Sequence, residues 1–378
     1  MAVHDVSATG EAADVVGAFR AGGDFTVGVE DELLLVDREG ELVSGPTESI
    51  IEALARQPGL TSRVGPEIYA CEIEFATPVC RDGGEVATAL ARCRAALRDV
   101  GQDALAVGIH PAAPFGEVAL VSSPRYDAIK AEYAGFLRTA TAALQVHVAV
   151  PDGEAMVRAL RGIRPLLPVL RGLAASSPFW HGRDSGLASA RAAVQRSYPR
   201  IGVPPAFGSY DEYQSHATAL LAAAEAPGPT YLWWDARPQP ALGTIEVRVM
   251  DAQWSLPRVA GLVTLIQGLV RAAVEDPPRH DLPDGLIDES DFRAVRYGLD
   301  ARILDADGRL RPLRELAREA IERAAGALAD VRLGGLLEPL TAALADEPEY
   351  ERQRRVHAAG GMTALLEDLV RRTISGGA

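Results

Sequence analysis

The sequence predicts an α+β protein built on a largely antiparallel sheet. Short runs rich in β-branched residues alternate with longer stretches whose apolar residues have helical spacing, and turn signals such as residues 37–40 join strands into hairpins. No repeat or low-complexity segment interrupts the 378 residues, of which 48% are hydrophobic and 24% charged. This balance is typical of a globular protein with a large core, and we expect one domain over residues 1–378.

Each element follows from a local pattern. Strands are predicted at residues 25–36, 67–77, 105–110, 143–150, 230–235 and 244–251, and helices at residues 46–56, 84–100, 126–141 and 154–175. Residues 1–22 form an N-terminal extension, either a short amphipathic helix or a loose terminus, and residues 257–378 form a mostly helical C-terminal part. Residues 176–210 are rich in Pro, Gly, Ser and Arg. A long irregular segment of this kind inside a compact domain often carries function.

Charge and composition exclude several classes of partner. The chain has 52 acidic and 38 basic residues and a net charge of -14, which opposes binding to phosphate backbones and makes nucleic acid an unexpected partner. The apolar runs are interrupted well short of the ~20 residues of a membrane helix, and no secretory signal is visible. Three scattered cysteines fit a reducing compartment. We therefore expect a cytoplasmic protein.

Lys130 is the only lysine in the sequence, and it lies outside any GxxxxGK[ST] pattern. P-loop nucleotide chemistry is thereby excluded. Any bound phosphate has to be held by arginine, backbone amides or metal.

Four predicted strands place pairs of polar side chains on one face, because residues two apart in a strand point the same way. The pairs are Glu30 with Glu32, Glu72 with Glu74, Gln145 with His147, and Glu246 with Arg248. A solvated sheet face would also carry polar residues, but glutamate is depleted in strands, so we prefer a cavity lined by several glutamates and one histidine.

So much like charge requires compensation, and hard divalent cations such as Mg²⁺, which bridge to substrate phosphates, supply it. Zinc is less favoured because no second His or Cys lies at ligand spacing, although His110 and His181 stay open as ligands.

Nine segments in order resemble one known family. They read GVEDELLLVD, PEIYACEIEFATPVC, GIHP, VHVAVPD, SSPFWHGRDSG, GVPPAFGSYDEY, DARPQPALGTIEVRVMDAQ, RYGLD and RQR. Together they are similar to the carboxylate-amine ligases of the glutamate-cysteine ligase type 2 (YbdK-like) family, over about residues 26–369. The resemblance implies a glutamine-synthetase-like catalytic fold, in which a curved, mainly antiparallel sheet forms a funnel with helices packed outside.

The resemblance also implies ATP-dependent amide formation. A small-molecule carboxylate, typically the γ-carboxylate of glutamate, is phosphorylated by ATP, and the acyl phosphate is attacked by an amine; glutamate-cysteine ligase activity would be weak if the natural amine differs. The implied ligands for Mg²⁺ or Mn²⁺ are Glu30, Glu32, Glu67, Glu74, His147 and Glu246. Glu246 and Arg248 are the implied catalytic residues, and Arg248, Arg237 and Arg183 are candidates for binding ATP.

Three residues depart from the family pattern: Gln145, Ala149, and Leu187 in GRDSGLAS, where an aromatic residue is common. Many relatives read HVHVG where this chain has Gln145 and Ala149 in QVHVA, which leaves the identity of the amine open. A phosphotransferase of the related guanidino kinase fold and a non-catalytic binding descendant are the alternative functions. The mutually repelling carboxylates argue against the non-catalytic alternative. The sequence does not establish the oligomeric state, and a homodimer fits a protein of this size.

Overall fold

A computed structural model describes residues 16–43, 47–116, 118–133 and 135–376. Most of the predicted N-terminal extension therefore lies outside the described residues. The strands are β1 (Val27–Val36), β2 (Arg63–Pro66), β3 (Glu72–Ala76), β4 (Asp103–Leu105), β5 (Ala143–Ala149), β6 (Phe179–Trp180), β7 (Arg183–Asp184), β8 (Ala236–Gln239), β9 (Thr244–Asp251), β10 (Arg302–Leu304) and β11 (Leu310–Pro312).

The main sheet has the order β2-β3-β1-β5-β9-β8, with β4 pairing with one end of β1. Every pairing in it is antiparallel. β6 with β7 and β10 with β11 form two small separate hairpins. The predicted α+β class with a mainly antiparallel sheet is confirmed.

The helices pack around the sheet and build the C-terminal part. They are α1 (Thr47–Ala55), α2 (Gly83–Asp99), α3 (Pro124–Tyr133), α4 (Gly153–Ile163), α5 (Leu167–Ala174), α6 (Ala190–Gln195), α7 (Tyr210–Ala223), α8 (Leu256–Glu275), α9 (Asp284–Tyr297), α10 (Leu313–Ala327), α11 (Glu338–Ala343) and α12 (Glu349–Ser375). α12 is kinked at Gly361, whose φ of 74° is a conformation that favours glycine.

Strand β1 has its two faces in different surroundings. Asp31 points towards α2, where its carboxylate accepts a hydrogen bond of 2.8 Å from Arg94, and both side chains are buried. Burial raises the pKa of Asp31 to about 6, and Arg94 offsets this only in part. Glu30 and Glu32, one residue to either side, point to the opposite face. The alternation read from the sequence therefore separates the acidic residues of β1 between the two faces of the sheet.

Helix α8 is the central helix of the apolar core. It packs against α2, α4 and α10 and against β5. By length and composition it could cross a membrane, but 78% of its apolar window is buried inside the fold, as in the core helix of a globular protein. α2 begins so close to α8 that a Cβ on Gly83 would lie 2.2 Å from the carbonyl oxygen of Ala260.

Besides the strand predicted at 67–77, three predicted elements differ from the structure by more than two residues at an end. The helix predicted at 126–141 ends at Tyr133 and is followed by a turn at Gly135, a residue that disfavours a helix interior. The strand predicted at 105–110 is displaced to Asp103–Leu105. The strand predicted at 230–235 is wrong: Pro229–Tyr231 is a 3-10 helix, and the pairing with β9 starts at Ala236 instead. β8 is an edge strand, which is why it tolerates a proline.

Candidate active site

A cavity of about 700 Å³ lies on the face of the sheet that carries the paired polar side chains, a size typical of small-molecule sites. Its glutamates are Glu30, Glu32, Glu67, Glu72 and Glu74, and its arginines are Arg63, Arg125, Arg171, Arg191, Arg196, Arg237 and Arg248. Negative and positive side chains thus share one cavity, which suits a ligand set containing both cations and anions.

The strand register brings the acidic side chains together. Glu32 on β1 lies opposite Glu74 on β3, and Glu30 lies opposite Gln145 on β5. His147 follows two residues after Gln145 and therefore points to the same face. Three neighbouring strands thus form one wall of the cavity, which we call the acidic wall.

Glu67 reaches this wall from a loop. The strand predicted at 67–77 is shorter than expected, because β3 begins at Glu72 and the preceding residues connect it to β2. Glu67 lines the cavity together with Glu74, whose pKa its charge helps to raise, and the Tyr126 hydroxyl donates to Glu67 at 3.3 Å. The face expected from strand alternation therefore does not apply to Glu67, and the connecting loop places it beside Glu74.

The crowded carboxylates hold their protons strongly. Burial, followed by repulsion from Glu30 and Glu67, raises the pKa of Glu74 to about 9. Burial and Glu67 raise the pKa of Glu32 to about 7, and the pKa of Glu72 lies well above its ordinary value for the same kinds of reason. Such a cluster is fully ionised at neutral pH only when nearby cations neutralise it, so its chemistry fits a divalent cation with oxygen ligands.

A second group of ligand atoms lies where β1, β5 and β9 run side by side. Ligand atoms of Glu30, His147 and Glu246 all lie within 4.8 Å of one another. His147 Nδ1 is 3.1 Å from the Thr244 hydroxyl oxygen, while its buried Nε2 lies 3.6 Å from Glu30 and has no hydrogen-bond partner among the described residues. A buried imidazole nitrogen without a partner beside a carboxylate fits a metal ligand.

Glu246 is already engaged by basic side chains. Its two oxygens accept hydrogen bonds from Arg237 at 2.9 and 3.0 Å and from Gln239 at 2.7 Å, and Arg248 also donates to it. Burial alone would raise the pKa of Glu246, but Arg237 and Arg248 hold it well below its ordinary value. Glu246 thus orients two arginines, and its role as a metal ligand stays a prediction.

Gln145 connects the acidic wall to Arg248. Its amide nitrogen donates to Glu32 and its amide oxygen accepts from Arg248. The other oxygen of Glu32 accepts from the backbone N–H of Ala143 at 2.6 Å. Gln145, which departs from the family pattern, therefore bridges Glu32 and Arg248 in the cavity.

Three residues that the sequence offered as candidates, Arg183, His110 and His181, lie outside this cavity. Arg183 is exposed on the β6–β7 hairpin, where it lines a separate shallow pocket together with His181. His110 has both ring nitrogens engaged, by the carbonyl of Gly40 at 2.7 Å and by backbone amides that include the N–H of Ala113 at 2.9 Å. None of the three is among the described residues that line the 700 Å³ cavity.

Sequence reasoning did not single out five arginines of the cavity: Arg63, Arg125, Arg171, Arg191 and Arg196. Arg171 on α5 is paired with Asp235 at 3.1 Å and with Asp291, and Arg191 lies on α6 after the N-cap residue Ser189. Arg191 belongs to the irregular segment 176–210, which was singled out as a candidate functional segment. Nothing local to the sequence shows which of its side chains turn towards the sheet.

A family model described as "Glutamate-cysteine ligase family 2 (GCS2)" matches residues 26–372. The chain belongs to this family. A relative from Rubrobacter xylanophilus, provisionally named glutamate–cysteine ligase 2-3, is 36% identical over 358 residues, which cover 93% of this chain and 97% of the relative. A relative from Haloferax volcanii named glutamate–cysteine ligase is 33% identical over 359 residues, which cover 91% of this chain and 96% of the relative.

Solved structures agree on the fold. A glutamate–cysteine ligase from Francisella tularensis in complex with AMP has a TM-score of 0.70 and 12% identity, covering 94% of this chain and 90% of that one. A bifunctional glutathione synthetase from Pasteurella multocida has a TM-score of 0.67 and 12% identity, covering 93% of this chain and 52% of that one. The expected glutamine-synthetase-like fold is confirmed. As a member of glutamate-cysteine ligase family 2, the chain is an ATP-dependent carboxylate-amine ligase.

Proposed function

We propose that the protein activates the γ-carboxylate of glutamate with ATP and joins it to an amine, with cysteine as the first amine to test. The observation that carries this proposal is the cavity itself, in which the acidic wall of β1, β3 and β5 faces a set of arginines. The relatives named glutamate–cysteine ligase support glutamate and cysteine as substrates.

The reaction has two steps. A carboxylate oxygen of the donor attacks the γ-phosphorus of ATP, the bond from that phosphorus to the β–γ bridging oxygen breaks, and ADP leaves. The amine nitrogen then attacks the carbonyl carbon of the acyl phosphate, phosphate leaves, and the nitrogen gives up one proton to complete the amide. Positioning and electrostatic stabilisation supply most of the catalysis of phosphoryl transfer.

Mg²⁺ or Mn²⁺, when bound, would neutralise the charge of the ATP phosphates. The ligands we propose are the six that the resemblance implies: Glu30, Glu32, Glu67, Glu74, His147 and Glu246. Ligand atoms of Glu30, His147 and Glu246 converge, and Nε2 of His147 has no hydrogen-bond partner among the described residues. Glu246 would have to release a hydrogen bond before it could coordinate a cation.

Arg248 is our candidate for the donor to the transferred phosphoryl group. Glu246 and Gln145 hold its guanidinium at the edge of the cavity, so it is oriented before substrate arrives, which is what stabilisation of developing charge requires. Arg237, paired with the same Glu246, supports this orientation and lines the same cavity. Arg183 lines a different pocket, so an ATP-binding role for it would need the β6–β7 hairpin to move.

Isotope transfer tests the acyl phosphate directly. The enzyme is given ATP, Mg²⁺ and glutamate labelled with ¹⁸O in its carboxylates, with hydroxylamine in place of the natural amine. We expect a hydroxamate and one ¹⁸O atom in the released phosphate, because the donor oxygen leaves with phosphorus. Phosphate release without label or hydroxamate, across a panel of amino acids and small acids, would instead indicate a phosphotransferase or a simple ATPase.

A homodimer, a cytoplasmic location and a single catalytic domain over residues 1–378 stay predictions. Size-exclusion chromatography with light scattering measures the first of these, and a mass near twice 40.1 kDa is the expected result.

A further inference from the structure

Asp235 is a buried carboxylate that lines the cavity on the side opposite to β3. It directly precedes β8, which β9 separates from β5. Among the described residues that line the cavity, it is the only carboxylate besides the five glutamates named above. The proposed cations would neutralise the acidic wall, whereas Asp235 stays available to a ligand of another kind.

The strand register places Asp235 next to the proposed phosphoryl site. Ala236 pairs with Val247, so Asp235 lies directly opposite Arg248, and its carbonyl accepts the backbone N–H of Arg248 at 2.9 Å. Residues that face each other in this way have Cβ atoms roughly 4.5–5.5 Å apart. A molecule that attacks an acyl phosphate held by Arg248 therefore has to pass close to Asp235.

One oxygen of Asp235 is engaged and the other is not. Oδ1 lies 3.1 Å from a terminal nitrogen of Arg171, while the buried Oδ2 has no hydrogen-bond partner within the part of the chain that the structure describes. Arg171 does not depend on Asp235 alone, because its Nε also donates to Asp291. Asp235 can therefore bind a cationic group without leaving Arg171 unpaired.

A buried carboxylate oxygen without a donor is costly, so its presence in a cavity wall points to a ligand that brings N–H donors. The amino group of an amino acid is such a ligand, since it is largely an ammonium ion at neutral pH. It must lose a proton before its nitrogen can attack. Burial and repulsion from Asp291 raise the pKa of Asp235, and Arg171 and Arg196 offset this only in part, which makes Asp235 a better proton acceptor than an exposed aspartate.

We propose that Asp235 binds the ammonium group of the incoming amine and accepts its first proton. The inference rests on the proposed function. One N–H bond breaks towards Asp235, which becomes a carboxylic acid. The electron pair left on nitrogen forms the bond to the acyl carbon, and the carbon–oxygen bond to phosphate breaks. The nitrogen loses a second proton to water, the amide is complete, and Asp235 returns its proton to solvent.

A comparison of acceptors tests this role. Cysteine and ammonium chloride supply protonated nitrogens at neutral pH, whereas hydroxylamine is uncharged and needs no base to free its electron pair. In Asp235→Asn we expect kcat/KM for cysteine and for ammonium to fall about 10²- to 10⁴-fold, the usual contribution of a general base. Hydroxamate formation and the KM for glutamate should stay within about threefold of wild type.

Asp291→Asn is the matched control. Asp291 is also a buried partner of Arg171, but its two oxygens accept from Arg171 and Arg196 and it is not among the described residues that line the cavity. We expect a lower melting temperature and an equal effect on all three acceptors. An equal loss with all acceptors in Asp235→Asn would make Asp235 structural, and a rise in the KM for glutamate would place the donor there; either result overturns the proposal.

Asp235→Glu serves if the asparagine variant does not fold, because it keeps the negative charge and moves the carboxylate by one methylene. Its ratio of amide to hydroxamate formation should fall about 10-fold, and an unchanged ratio would contradict the proposal. Hydroxamate formation by wild type tests the proposed function independently of both variants. If no hydroxamate forms, calorimetric titration with cysteine decides: tighter binding by wild type than by Asp235→Glu supports Asp235, and equal or absent binding contradicts it.

Discussion

Gln145→Ala should show how far the contribution of Arg248 to catalysis depends on its orientation. The variant keeps Arg248 but removes one of the two side chains that hold it. The amide of Gln145 makes two hydrogen bonds to charged groups, one to Glu32 and one from Arg248. Each such bond contributes about 1.5–3 kcal/mol when its loss leaves the partner unsatisfied. Here both partners keep another bond, since Glu32 retains the N–H of Ala143 and Arg248 retains Glu246.

The expected loss of stability is therefore at the low end, about 1–3 kcal/mol for the pair of bonds. The loss of rate should be larger, because Arg248 would be held on one side only. A preorganised donor to developing charge is worth about 10²–10³ in rate, and partial misplacement should cost Gln145→Ala about 10- to 100-fold in kcat. The KM for ATP should change little.

The assay is ADP release with glutamate and hydroxylamine, with thermal unfolding of each variant measured in parallel. Gln195→Ala is the matched control, because Gln195 also lines the cavity but donates to a neutral hydroxyl, that of Thr141 at 2.9 Å. We expect it to lose less than about threefold in kcat, since a neutral hydrogen bond contributes only about 1 kcal/mol. A kcat for Gln145→Ala within twofold of wild type would refute the bridging role and leave Glu246 as the residue that orients Arg248.

Three further outcomes are expected. Turnover, followed as ADP release, should vanish in excess chelator and return with Mg²⁺ or Mn²⁺, and full turnover in chelator would remove the metal site from the proposal. Glu246→Gln should lower kcat by at least about 10²-fold with an unchanged circular dichroism spectrum, because both Arg237 and Arg248 lose their common anion; near-normal kcat would make Glu246 dispensable. Arg94→Met leaves Asp31 buried without its partner and should lower the free energy of unfolding in urea by about 3–5 kcal/mol, whereas a loss below about 1 kcal/mol would show that the pair contributes little.

The faces of the strands could be predicted from the sequence because strand alternation is a local property. Glu30, Glu32, Gln145 and His147 lie on the cavity face as the period of two predicts. To predict the cavity, one must also know that these strands are neighbours in the sheet. Local patterns do not show this, because the pairing of Glu30 with Gln145 is a long-range contact. The fold implied by the family resemblance supplied it.

The remaining site residues depend on tertiary structure. Glu67 was assigned to a strand, but it belongs to the β2–β3 connection and reaches the wall through Glu74. Arg191 and Arg183 both come from the irregular segment, yet only Arg191 turns towards the cavity. No periodicity distinguishes the two arginines, because their directions are set by the N-cap of a short helix in one case and by a hairpin turn in the other.

Strand β1 is hydrogen-bonded on both edges, to β3 on one side and to β5 on the other, and its side chains are mostly buried. Backbone amides in such a strand exchange with solvent only when a large part of the fold opens. We therefore expect the backbone amides of the strand that carries Glu30 and Glu32 to be among the slowest to exchange in the molecule. Local opening of a surface helix would leave the spacing of these two carboxylates unchanged, whereas Glu67, on its connecting loop, can shift without disturbing the sheet.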